Sequence, residues 1–89
     1  MKTINYEGRR NVSGERVRLA RAERRLSQEE LAIKVQTEGV ILVQDNISKI
    51  ERGARMVQDY ELWALSKALG VSVEWLLADC EEKNYAIGL

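Results

Sequence analysis

Leu26-Ser27-Gln28-Glu29-Glu30-Leu31-Ala32 reads as the opening of a helix. Ser27 is followed three residues on by Glu30. At that spacing the hydroxyl accepts from the third helical N–H, and the carboxylate reaches back to the serine's own N–H. Leu26 precedes the cap and faces Leu31 across it, the geometry of a hydrophobic staple. Leu31, Ala32 and Val35 supply the buried side. On the N-terminal side, Ser13 is placed to cap a first helix from Gly14 to about Arg25, with a thin apolar side of Val17, Ala20 and Leu19. Two caps so close together imply two short helices and a sharp turn.

Downstream, Gln36–Val43 is a connection holding Gly39 and the apolar run Val40-Ile41-Leu42-Val43, readable as a short extended stretch. A third helix is expected from about Gln44 to Arg52, with Ile47, Ile50 and Glu51 on one side and Gly53 as its left-handed stop. A fourth is expected from Asp59 to Leu69, with Leu62, Leu65, Ala68 and Leu69 inward and Gly70 ending it. Ser72 caps a last short helix, Val73 to about Ala78, that packs Val73, Leu76 and Leu77. No heptad persists and no long stretch alternates with the period of a strand. The pattern predicts an all-α fold, a compact bundle of five short helices. Residues 1–12 read as an N-terminal arm, 13–78 as the domain and 79–89 as a C-terminal tail.

Eighty-nine residues and 10.2 kDa suffice for a single core. Cys80 is the one cysteine and histidine is absent, which excludes an intrachain disulfide, histidine-based acid–base chemistry and an ordinary zinc site. No metal or cofactor is expected. No run of eighteen apolar residues is present, and the start lacks the apolar stretch of a secretory signal, so a cytoplasmic location and no membrane partner are expected. The net charge of zero hides a division. Residues 1–34 carry nine Lys/Arg against five Asp/Glu, and residues 59–89 carry two against six. A chain basic at one end and acidic at the other attracts a polyanion with one face only.

Four blocks together resemble the phage-repressor and Cro-type helix-turn-helix family, also called the XRE family. They are Leu26–Ala32, then Ile47-Ser48-Lys49-Ile50-Glu51-Arg52-Gly53, then Ala68-Leu69-Gly70-Val71-Ser72, and finally Trp75-Leu76-Leu77. The resemblance covers about Gly14 to Leu77 and implies a lambda-repressor-like domain. It implies a sequence-specific regulator of transcription, of the repressor kind, binding a double-stranded DNA operator. The third helix then lies in the major groove, while the second crosses the phosphate backbone.

By family position the base-reading residues are Gln44, Asp45, Asn46, Ser48 and Lys49. At about 100° per residue, Asp45, Ser48, Lys49 and Arg52 do point away from the Ile47/Ile50 side. Glutamine and asparagine bond adenine on two atoms, and lysine reaches guanine O6 and N7. Gln28, Arg55 and Arg52 are the expected phosphate contacts, and Arg9 and Arg10 are candidates for an arm along the backbone. The resemblance also implies a buried ion pair between Arg21 and Glu51.

Three features depart from the pattern. Leu31 to Ile47 spans sixteen positions, longer than the usual three- or four-residue turn allows. Val43 stands where a capping Ser or Thr is usual. Asp45 faces outward, where it repels phosphate and accepts only from cytosine N4 or adenine N6.

A second function fits the same fold: a protein-binding module such as an antitoxin, with Tyr60, Trp63 and the Tyr85–Leu89 tail marking a surface for a protein partner. No nucleophile paired with a base and no phosphate-cradling glycine loop is present, so an enzyme is not expected. A homodimer on two half-sites is expected, with Trp75 and Ile87 or Leu89 as contacts.

Overall fold

The computed structural model describes residues 8–78 of the chain. Among these residues five helices follow one another: α1 (Gly14–Glu23), α2 (Gln28–Thr37), α3 (Gln44–Glu51), α4 (Asp59–Leu69) and α5 (Val73–Leu76). The Ser27–Glu30 box forms as its spacing requires. The Ser27 hydroxyl accepts from Glu30 N–H at 2.9 Å, and Glu30 accepts from Ser27 N–H at 2.8 Å. Between α1 and α2 the chain turns through Arg25 at φ 58°, a left-handed residue that is not glycine. Leu26 N–H donates across it to the Arg21 carbonyl at 3.1 Å, closing the last turn of α1.

Ser13 does precede α1, but its side chain does not cap it. Asn11 does that work from two residues further back. Its Oδ1 accepts from Gly14 N–H at 2.7 Å, while its Nδ2 donates to the carbonyls of Ile50 (3.1 Å) and Arg55 (2.8 Å). Arg10 N–H adds a bond to the Gly53 carbonyl at 2.8 Å. Arg10 and Asn11, within the expected 1–12 arm, are therefore stitched to the turn after α3. Gly53 takes φ 73° there, ending α3 as expected. The first seven residues of the arm and the whole 79–89 tail lie outside the described residues.

The core gathers Val17 and Ala20 from α1, Leu31, Ala32 and Val35 from α2, and Ile47 and Ile50 from α3. Ala64, Leu65 and Leu69 of α4 and Leu76 of α5 complete it, with Leu42 from the connection. α2 packs on both α3 and α4, and α1 lies across α3, α4 and α5. Several expectations shift by one position. Leu62 and Ala68 only flank the core. Leu19 and Leu77 are exposed. Glu61, a carboxylate, is buried on α4 instead.

The long connection is shorter than its spacing suggested, because α2 runs on to Thr37. Residues 38–43 join it to α3, with Gly39 at φ 90°. No strand forms in this segment, but its side chains alternate: Leu42 is buried and Val40 packs against the core, while Ile41 and Val43 face outward.

Candidate nucleic-acid interface

α3 carries one face into the core through Ile47 and Ile50 and turns the other to solvent. Gln44, Asp45 and Lys49 are exposed on that outer side, with Asn46 and Ser48 half-buried beside them. The sequence had Val43 as a poor cap, and no side chain of Val43 can accept. The helix is closed from within instead: Asn46 Oδ1 accepts from Val43 N–H at 2.9 Å. Asn46 is thereby turned back towards its own helix start. Asp45 and Lys49, one turn apart, form an exposed ion pair at 3.1 Å. The two charges offset each other, which answers the question of why an acid is tolerated on this face.

Gln44 is held by a chain of hydrogen bonds that crosses three helices. Its Nε2 donates to Gln28 Oε1 at 2.6 Å, and Gln28 Nε2 donates to Glu51 Oε1 at 3.0 Å. Glu51 in turn accepts from Arg21 Nε (2.6 Å) and Nη2 (3.0 Å). Arg21 Nη1 closes the chain on the Leu26 carbonyl at 2.8 Å. The Glu51 side chain is only 4% exposed. A carboxylate so deeply placed needs such partners, and the bidentate guanidinium supplies them. The same contact holds the Arg21 pKa above its ordinary value, with burial opposing. The expected Arg21–Glu51 pair is thus present, and it anchors α2 and α3 to each other through Gln28.

Arg55 is where expectation and geometry part. Its guanidinium grips buried Glu61 through Nη1 (2.8 Å) and Nη2 (3.1 Å), and Nη1 also donates to the Met56 carbonyl. Glu61 further accepts from Gln58 N–H at 3.0 Å at the start of α4. Its carboxyl is held below the usual range by the Arg55 hydrogen bonds first, with burial working against them and the Gln58 bond adding to them. Arg55 therefore ties the turn after α3 to α4. In the free protein its guanidinium is held against Glu61. Glu61 was missed in the sequence, although Gln58-x-x-Glu61 has the register of a capping box and would have pointed to it. Arg52, by contrast, is exposed just past α3.

Among the described residues no cluster of His, Cys, Asp or Glu is arranged to hold a metal ion, and no helix is long and apolar enough to cross a membrane. A family model described as helix-turn-helix matches residues 17–76. Among solved structures, the chain is similar to the restriction-modification controller protein C.AhdI from Aeromonas hydrophila. The two are 31% identical, with 72% of this chain and 86% of that chain covered and a TM-score of 0.64. It is similar to the P22 c2 repressor protein, crystallised in complex with a synthetic operator. That likeness is 32% identical, covers 76% of this chain and 96% of that one, and has a TM-score of 0.66. A third likeness, to the clp gene regulator ClgR from C. glutamicum, is 27% identical over 84% and 91% of the two chains, with a TM-score of 0.70. No curated protein sequence matches the chain.

Proposed function

The chain belongs to the helix-turn-helix family, in its Cro/C1-type branch, and from that membership we propose that it regulates transcription by binding a double-stranded DNA operator with α3 in the major groove. The observation that carries this reading is the fixed outward presentation of Gln44. It stands at the start of α3, tied through Gln28 and Glu51 to Arg21 in α1. A side chain so held keeps its orientation before the base arrives, which is what direct readout of a base edge needs.

In this reading Gln44, Ser48 and Lys49 meet base edges, with Asp45 steering Lys49 through their ion pair. Asn46 serves the helix start more than the groove. Gln28 lies at the N-terminus of α2, whose partial positive charge and first N–H groups suit a phosphate oxygen. Arg52 supplies a second phosphate contact. Arg55 is withdrawn from that set by its bond to Glu61.

A cytoplasmic repressor, acting as a homodimer on two half-sites, is the form of regulator we infer, and no catalytic step is assigned to it. The P22 c2 protein is described as a repressor in complex with an operator, and C.AhdI and ClgR as a controller protein and a gene regulator. Those descriptions favour regulation over the antitoxin-like alternative.

Selection of a preferred duplex from a random pool, followed by gel shift at rising salt, tests the proposal. A preferred sequence should emerge, and its affinity should fall by roughly tenfold or more between 50 and 200 mM salt as phosphate counterions are released. No preferred sequence, or an affinity indifferent to salt, would overturn it.

A further inference from the structure

Four of the five polar residues on the outer side of α3 already have partners in the free protein. Gln44 bonds Gln28, Asp45 pairs with Lys49, and Asn46 closes the helix start. Directly before them lies a surface of another kind. Ile41 is 70% exposed and Val43 54% exposed, while Leu42 between them is buried and Val40 packs against the core. Alternation of that kind belongs to extended chain, in which successive side chains point to opposite faces. The Val43 backbone is extended, at φ −101° and ψ 171°. Leu42 thus pins the segment from below, the Asn46 bond pins its end, and Ile41 and Val43 are left side by side on the outer face.

One exposed isoleucine on a protein surface needs no explanation. Here two β-branched residues share one side of a short, anchored segment, and that segment leads straight into the helix assigned to the groove. Val43 lines an open cleft together with Ile33 of α2 and with Gln44 and Asp45. Neighbouring Cα atoms lie about 3.8 Å apart, so Ile41 and Val43 are separated by about 7 Å along the chain. Stacked bases rise by about 3.4 Å. The pair therefore spans about two base steps, next to the step that Gln44 meets. The major-groove edge of DNA carries one apolar group that such side chains can cover, the C5-methyl of thymine.

We propose that Val43 and Ile41 read thymine methyl groups beside the bases met by Gln44, making the 38–43 connection a specificity element of the operator contact. The proposal rests on the DNA-binding reading above. Its test uses the full chain and the duplex selected from the random pool, with deoxyuridine replacing one thymine at a time. That exchange removes the methyl group and nothing else. The wild-type protein should bind about fourfold more weakly at one or two positions, the weight of one buried methyl group. Val43→Ser and Ile41→Ser should each bind the thymine and uracil duplexes alike at one such position, while still preferring the operator to a scrambled duplex.

Equal binding of every uracil duplex by the wild-type protein would overturn the methyl contact and leave the DNA-binding reading standing. So would a uracil penalty that survives in both variants. Failure of the pool to yield any preferred duplex would overturn both.

Discussion

Gly14 begins α1 against the end of α3, where a Cβ would fall well inside contact distance of the Ile50 carbonyl oxygen. The obstacle is backbone on both sides, so neither can yield cheaply. Gly14→Ala should cost about 2–4 kcal/mol, read as a fall of about 10 °C or more in the melting temperature. Arg21→Ala should lower stability by roughly 3 kcal/mol, because Glu51 would be left buried without its guanidinium. Arg55→Ala should behave in the same class, through Glu61, and should leave the salt dependence of DNA binding unchanged. Melting curves beside a salt titration separate these outcomes. The Arg55–Glu61 pair also has a pH signature. Because the folded state holds the Glu61 carboxyl below its ordinary value, the unfolded chain takes up the proton first as pH falls. The stability it contributes is complete above the ordinary glutamate value of about 4.3 and is lost below it, as pH drops through the folded value. Acid titrations followed by circular dichroism should show a shallower loss of stability in Glu61→Gln between about pH 5 and pH 3, from a lower starting point.

The helices themselves were largely legible because their signals are local. Ser27 and Glu30 are three residues apart, and Gly53 and Gly70 sit where their helices stop. Asn11 was not legible, since its partners Ile50 and Arg55 lie 39 and 44 residues away and nothing near it in the chain announces them. The Arg55–Glu61 pair escaped for a related reason: an arginine past the third helix gives no local sign of the buried carboxylate it holds on the next one. At the start of α3 the missing hydroxyl cap was legible, but its replacement by Asn46 was not. That helix start can still be improved. Val43→Ser would let a hydroxyl accept from Asn46 N–H while Asn46 keeps its own bond back, and should stabilise the protein by about 0.5–1 kcal/mol. On the outer side of α3, Gln44→Ala and Lys49→Ala should change stability by about 0.5 kcal/mol or less. Each should weaken operator binding by roughly 1–3 kcal/mol and relax preference at one or two base positions. Wild-type affinity and preference in both variants would remove α3 from the groove.

Across the whole molecule, the chain is basic in its N-terminal third and acidic in its C-terminal third. A polyanion is attracted by the first charge set and repelled by the second. The half-buried Trp75 ring, covered by the Arg16 guanidinium at 4.7 Å, lies on α5 near exposed Leu19. That α1–α5 surface is our candidate for pairing two copies on two half-sites. Sedimentation should find two chains per operator, and Trp75→Ala should shift that ratio towards one. The chain of bonds from Arg21 to Gln44 also has a one-way sense. A carboxylate only accepts, so Glu51 compels Gln28 to turn its NH2 group inward and its carbonyl oxygen outward. Gln44 must then give one N–H to that oxygen, which leaves its second N–H and its carbonyl for another partner. The proton order of two amides is thereby dictated by one buried acid, and in the proposed groove contact Gln44 still offers a donor and an acceptor, the set that adenine N7 and N6 complement.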